Sequence, residues 1–166
     1  KPCTIERAGI GSLNLYNQFV GKIIPKKKEL EVMGEKVQQE LDDLFGCRVL
    51  ARQTKNKDII GVGGTVRALL KLVNLYYNLE EKNRCITRNQ LEEIFQMATN
   101  KQKQIQNIIL KICPERVHTI IPGMLVMKSI LEKSGSERIV VSKYGVREGY
   151  LYHAILSQDE DKEEIQ

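Results

Sequence analysis

Ile59-Ile60-Gly61-Val62-Gly63-Gly64-Thr65-Val66-Arg67-Ala68-Leu69-Leu70 is the stretch that decides the fold class. Ile59 to Val62 is a short apolar run that predicts a buried strand. From Thr65 the residues Val66, Leu69, Leu70, Val73, Tyr76 and Tyr77 recur at helical spacing, and Asn78 closes the run. A strand, a glycine turn and a helix in succession form the unit from which α/β sheets are built. Such a turn aims unpaired N–H groups and the positive end of a helix dipole at whatever lies beyond it, and glycine lets a phosphate come close. A second turn of this kind is Ser142-Lys143-Tyr144-Gly145-Val146-Arg147-Glu148-Gly149, which follows the apolar run Arg138 to Val141. The pair points to a phosphate ligand.

Each turn also has a purely structural reading. Gly61 to Thr65 reads equally as a tight turn in which the glycines adopt positive φ and Thr65 caps the helix. It lacks the Lys that makes a P-loop specific. Ser142 to Gly149 reads as a cap plus an ion pair. A basic side chain is mildly unfavourable in a first helical turn, which points Arg147 toward an anion or a buried partner.

Outward from these turns, Cys3 to Arg7 predicts a short strand, and Gly9-Ile10-Gly11-Ser12 turns into a helix carrying Leu13, Leu15, Tyr16, Phe19 and Val20. Lys26-Lys27-Lys28 resembles a phosphate clamp, yet Leu30, Met33, Val37, Leu41 and Leu44 behind it keep helical spacing, so the lysines read as a solvated first turn. Gly46 ends that helix, Arg48 to Ala51 predicts an edge strand, and Gln53 to Asp58 is a polar loop. Thr87-Arg88-Asn89-Gln90 reads as a capping box before Leu91, Ile94, Phe95 and Ala98. A further helix carries Ile105, Ile108, Ile109 and Ile112. Pro114, at a first-turn position, opens another through Val117, Ile120, Ile121, Met124, Met127, Ile130 and Leu131. Three helices in succession thus cover one flank. Ser134-Gly135-Ser136 is a turn, and Arg147 to Ser157 predicts a last helix packing Leu151, Ala154 and Ile155. One domain is expected over 1–157, with an acidic tail over 158–166 that frays.

The chain has 166 residues, enough for one domain that buries roughly two thirds of its unfolded surface. Its net charge of +5 sits on a body more basic than the tail, which suits an anionic ligand. Nucleic acid is disfavoured, because there is no Trp and no basic run interleaved with aromatic residues to stack bases. Cys3, Cys47, Cys85 and Cys113 are far apart and only two histidines are present, so neither a zinc site nor a disulfide framework is expected. A reduced, cytoplasmic protein is the expectation. No apolar stretch approaches the length of a membrane span. A sequence opening at Lys1 is expected to be part of a longer polypeptide. Cys85, Cys113, His118 and His153 lack the local motifs of catalysts, and nothing in the spacing pairs Glu115 with Glu148.

Four blocks together carry a resemblance: Glu6-Arg7-Ala8-Gly9-Ile10-Gly11-Ser12-Leu13; Gly63-Gly64-Thr65 with Val66-Arg67-Ala68-Leu69; Arg116 followed by Ile121-Pro122-Gly123-Met124-Leu125-Val126; and Ser142 to Gly149. From Cys3 to Tyr152 the chain resembles the C-terminal lobe of the exopolyphosphatase/guanosine pentaphosphate phosphohydrolase (Ppx/GppA) family. The resemblance implies an α/β, actin-like (ribonuclease H-like) second lobe, truncated at its first strands and flanked by several helices. It implies Mg-assisted removal of a terminal phosphate, from inorganic polyphosphate or guanosine pentaphosphate, in a cleft shared with an N-terminal lobe. On this resemblance Gly63, Gly64, Thr65 and Arg116 approach phosphate, while Ser142, Gly145, Arg147, Glu148 and Gly149 form a motif that is either structural or cleft-facing.

The family's two phosphate loops, of the types Asp-x-Gly-Ser-Asn and Asp-Ile-Gly-Gly-Gly-Ser, are absent, as is the catalytic Glu of the first lobe. The resemblance therefore implies a lobe inactive alone, with no metal of its own, needing a companion lobe. Arg116-Val117-His118 replaces the family's Arg-Ala-Asp, and Thr99 to Gln106 departs from the pattern. A lobe without its first hairpin would expose a sheet edge and an apolar face, so self-association is expected. Two other readings remain at this point: a non-catalytic nucleotide-binding or interaction module, and a lobe of an actin-like sugar or acetate kinase.

Overall fold

The computed structural model describes residues 6–46, 58–100 and 103–163, with side chains described to residue 155. Cys3, Cys47 and the strand expected over Arg48–Ala51 lie outside the described residues. So does the strand expected over Cys3–Arg7 up to Ile5; Glu6 and Arg7 have no regular structure.

Seven α-helices and three strands follow one another along the described chain: α1 (Ser12–Phe19), α2 (Lys27–Gly46), β1 (Ile59–Gly61), α3 (Gly64–Tyr76), β2 (Cys85–Thr87), α4 (Arg88–Thr99), α5 (Lys103–Ile112), α6 (Ile120–Ser134), β3 (Arg138–Val141) and α7 (Val146–Glu163). In the sheet, β3 lies between the other two strands. It runs parallel to β1, with Ile59 opposite Ile139 and Gly61 opposite Val141, and antiparallel to β2, with Ile86 opposite Ile139. A bidentate ion pair from Arg138 to Asp58, both contacts 2.8 Å, fastens the entry of β1 to the start of β3.

The helix α6 organises the core. From Ile120 to Leu125 every residue is buried, which is the pattern of a helix surrounded by protein. It packs on α1, α2, α3 and α4. Gly135, with φ 67°, ends it in a left-handed turn: the Gly135 N–H donates to Glu132 O at 3.3 Å and the Ser136 N–H to Leu131 O at 3.0 Å. The expected Ser134-Gly135-Ser136 turn is thus a helix stop. The capping box is present as read: Thr87 Oγ1 accepts from the Gln90 N–H at 3.3 Å, and Gln90 Oε1 from the Thr87 N–H at 3.0 Å. The three lysines are exposed around the first turn of α2, where Glu29 accepts from the Lys26 N–H at 2.6 Å.

Six expectations change. Ile59–Val62 is not a buried strand: β1 is paired by β3 on one side only among the described residues, and Ile60 is 71% exposed. Helices cover one face of the sheet, so alternate side chains stay bare. The strand β2, which the sequence does not announce, has only three residues, too short for a periodic signal. Pro114 opens a 3-10 turn over Pro114–Arg116, not the long helix. That helix starts at Ile120 because Pro122 has no N–H and its ring would clash with the carbonyl four residues back, which confines it to a first turn. Thr65 does not cap α3; Gly63 holds the cap position and no side chain bonds there. The last helix runs to Glu163, beyond Ser157. Leu151 and Ile155 on it are exposed instead of packed.

Candidate functional site

The parallel pairing of β1 with β3 sets both glycine turns side by side at the carboxyl ends of the two strands, where open α/β sheets receive ligands. One more bond extends the pairing past the strand ends, from the Ser142 N–H to Gly61 O at 2.8 Å. Gly61 must be small: a β-carbon there would lie 2.8 Å from a Val66 methyl and 2.9 Å from an Ile139 methyl. Gly63 has φ 124° and ψ 176°, a backbone region open essentially to glycine alone. The chain then enters α3, whose first helical bond runs from the Arg67 N–H to Gly63 O at 3.3 Å. The N–H groups of Gly64, Thr65 and Val66 precede that bond and so lack intrahelical acceptors.

The four sequence blocks meet around this helix start. Arg116, carried by the 3-10 turn, lays its guanidinium against Gly64, and any side chain at Gly64 would collide with it. The Thr65 methyl seats on Gly123 of α6, where a β-carbon would also be 3.7 Å from Ser12 Cβ of α1. Pro122-Gly123 therefore lets α6 approach α3 closely enough to put Arg116 in place. Arg116 is about one third exposed, and its carboxylate neighbour, Glu115, stands 3.8 Å away in solvent.

Two further cations stand beside these residues: Arg67, which the second block contains without a role of its own, and Lys71. Arg67 bonds back to Gly63 O through Nε at 3.2 Å, and Lys71 follows one helical turn later on the same side of α3. With Gly64, Cys113, Glu115 and Arg116 they line a cleft of about 280 Å³. The available signal was the i, i+3 and i+7 spacing from Gly64, which reads on its own as a solvated helix face. A larger cleft of about 360 Å³ lies beside it, against Ile10, Val126, Met127 and Ile130. Gly63, Gly64, Thr65 and Ser12 line this larger cleft together with mostly apolar side chains, so the two clefts meet at Gly64 and only the smaller one presents cations to an anion.

The second turn is differently made. Ser142 Oγ donates to Tyr144 O at 2.8 Å and accepts from the Tyr144 N–H at 3.2 Å, and the Gly145 N–H donates to Glu148 Oε2 at 2.8 Å. Glu148 thus caps α7. Its own backbone N–H, the Gly145 N–H and nearby Arg67 and Arg147 hold its carboxyl below the usual carboxylate range. The Ser142–Gly149 turn uses its polar groups on itself, whereas the Gly63–Gly64 turn leaves its N–H groups open. Arg147 is exposed at the start of α7.

His118, which replaces the Asp of the resembled pattern, leans on Tyr16 with ring centroids 4.9 Å apart, and its Nδ1 is buried without a hydrogen-bond partner. Cys113 is buried, which pushes its thiol pKa up and away from nucleophile behaviour. Among the described residues no group of three or more His, Cys, Asp or Glu side chains converges as a metal-ligand set. No helix there is long and apolar enough to cross a membrane.

The Ppx/GppA phosphatase family model matches residues 2–158. No match was found among the curated proteins. Among solved structures the chain is similar to an Aquifex aeolicus PPX-GPPA enzyme, with 22% identity and a TM-score of 0.70, covering 91% of this chain and 49% of that one. It is also similar to an exopolyphosphatase from Cytophaga hutchinsonii, with 18% identity and a TM-score of 0.70, covering 89% of this chain and 48% of that one. The chain spans about half the length of these relatives. The chain belongs to the Ppx/GppA phosphatase family, whose model matches residues 2–158, and its described residues take the actin-like α/β fold.

Proposed function

We propose that this chain is the phosphate-holding lobe of a cytoplasmic phosphohydrolase that releases terminal phosphate from inorganic polyphosphate or guanosine pentaphosphate. The observation that carries the reading is the Arg116 guanidinium lying on Gly64 at the open N-terminus of α3, with Arg67 and Lys71 beside it. In phosphoanhydride hydrolysis the transition-state charge collects on phosphoryl oxygens, so fixed N–H dipoles and guanidinium groups aimed at them lower the barrier. Gly64 and Thr65 supply such N–H groups, Gly63 gives the phosphate room, and Arg116 supplies the cation.

Among the described residues no group of three or more His, Cys, Asp or Glu side chains converges as a metal-ligand set. The magnesium, the carboxylate that activates water and the facing phosphate loops fall to a companion lobe, and turnover requires both lobes. Homo-oligomer formation belongs to the same reading. The Ser142–Gly149 motif is assigned an architectural role.

The test is phosphate release by the two-lobed protein with magnesium from long-chain polyphosphate, guanosine pentaphosphate and ATP. Release from one of the first two, in preference to ATP, is expected. Preference for ATP with a sugar or acetate acceptor would replace the reading with a kinase, and binding without release would replace it with an interaction module.

A further inference from the structure

The peptide that joins Gly63 to Gly64 is the least constrained link in the candidate site. Glycine flanks it on both sides, so it can turn over without moving a β-carbon. Such a flip would swing the Gly63 ψ and carry the Gly64 φ out of the helical range into the positive region, which glycine alone enters freely. The two orientations differ in what they offer a ligand. A trans peptide is planar and directs its C=O and its N–H to opposite sides. In the orientation observed, the Gly63 carbonyl faces Arg67 and the Gly64 N–H is left open at the start of α3. Turned over, the same link would present a carbonyl oxygen to an arriving anion and repel it.

Arg67 is placed to select between the two. Gly63 O accepts twice from this one residue, from its backbone N–H at 3.3 Å and from its Nε at 3.2 Å. The first is the ordinary opening bond of the helix. The second comes from the side chain alone, and a carbonyl oxygen has two lone pairs to receive both. The far side of the guanidinium lies over the second glycine turn: a β-carbon at Gly145 would stand 4.0 Å from Arg67 Nη2 and 3.0 Å from Glu148 Oε2. Glycine at that place lets the carboxylate and the guanidinium stand over one point, and their opposite charges favour the folded-back pose of Arg67. Both side chains are exposed, so the pairing steers the arginine more than it stabilises the fold.

From this geometry we infer that Arg67 is the positioning residue of the phosphate site: its Nε–H holds the Gly63 carbonyl and so keeps the Gly64 N–H aimed out of the start of α3. Arg67 then acts through the peptide and not by its charge. The inference rests on the proposed function for the reaction it serves, but the orientation of the peptide is read separately, so the two can fail apart.

The test compares Arg67→Ala, Arg67→Gln and Arg67→Lys in the two-lobed protein with magnesium and long-chain polyphosphate. Glutamine carries its Nε2 on the same Cδ that bears the Nε of arginine, so Arg67→Gln keeps the donor and loses the charge. Lysine keeps the charge and puts a methylene at that place. Arg67→Ala and Arg67→Lys should each lower kcat by about tenfold or more with little change in KM, and Arg67→Gln should restore most of the rate. Relaxation dispersion at the Gly64 amide of the same proteins reads the peptide without turnover. It should be quiet in the wild type and in Arg67→Gln, and show exchange in the other two. Rescue by Arg67→Lys and not by Arg67→Gln, a raised KM at unchanged kcat, or a quiet Gly64 amide in Arg67→Ala overturns the inference. The expected dispersion in a two-lobed protein that releases no phosphate would support the hold of Arg67 on the peptide while ending the phosphohydrolase reading.

Discussion

Gly63 and Gly64 are required for different reasons. Gly63 is held at φ 124°, and Gly63→Ala should lower stability by about 1–3 kcal/mol, read from urea midpoints, because a β-carbon is strained in that region whatever the space. Gly64 has no positive φ; its side is occupied by Arg116. Gly64→Ala should therefore displace the guanidinium and weaken tripolyphosphate binding by the two-lobed protein in a calorimetric titration, while the helix stays formed. Unchanged binding would show that Arg116 does not need its seat. Glu148 gives a pH signature. Its carboxyl is held below its ordinary value by two N–H groups and two arginines, so it stabilises the start of α7 above about pH 4.3 and loses that contribution as pH falls through the lower folded value. Helical ellipticity should fall in that acid window for the wild type, and by less for Glu148→Gln. Gly63, Gly64, Thr65 and Arg116 were legible in the sequence because their types are unusual at their places. Arg67 and Lys71 were not, since an arginine and a lysine on a helix read the same facing solvent or facing a ligand until the fold sets Arg116 opposite them.

Among the elements, α6 does most to position the site. Gly123 lets it lie on the Thr65 methyl, and Gly123→Val should separate α6 from α3, lowering stability by about 1–3 kcal/mol and reducing phosphate release as Arg116 shifts. At its other end Gly135→Ala should cost about 1–2 kcal/mol, since an alanine resists the left-handed turn, with no effect on catalytic rate once the protein is folded. The contrast separates a glycine that shapes the site from one that only stops a helix. The helix periods of α2, α3 and α4 were readable because their buried residues repeat every three or four places. The break before α6 is hidden by the apolar residues that continue through it, and Pro122 is its only local mark in the sequence. The strand β2 escaped because three residues carry no period, and its pairing with β3 depends on contacts more than fifty residues away. Burial of β1 and of α7 was misjudged for one reason: an apolar run shows that something should cover it, without showing whether the cover lies in the same lobe.

As a whole, the molecule presents a cationic cleft beside the carboxyl ends of its parallel strands and, on α7, several apolar side chains left exposed. Fold and family were recoverable because four blocks, distant in sequence, converge on one helix start: Ser12 and Thr65 meet at Gly123, and Arg116 meets Gly64. Substrate choice was not, because open N–H groups and guanidinium or ammonium side chains suit any phosphate alike. On the proposed function, Arg116 stabilises the phosphoryl group undergoing hydrolysis. The direct measurement is phosphate release from long-chain polyphosphate by the two-lobed protein with magnesium, wild type against Arg116→Ala, with matched thermal midpoints. A fall in kcat of about 100-fold or more is predicted, the scale seen when one charge-stabilising donor is removed. An Arg116→Ala protein that is folded, assembled and equally active would contradict it.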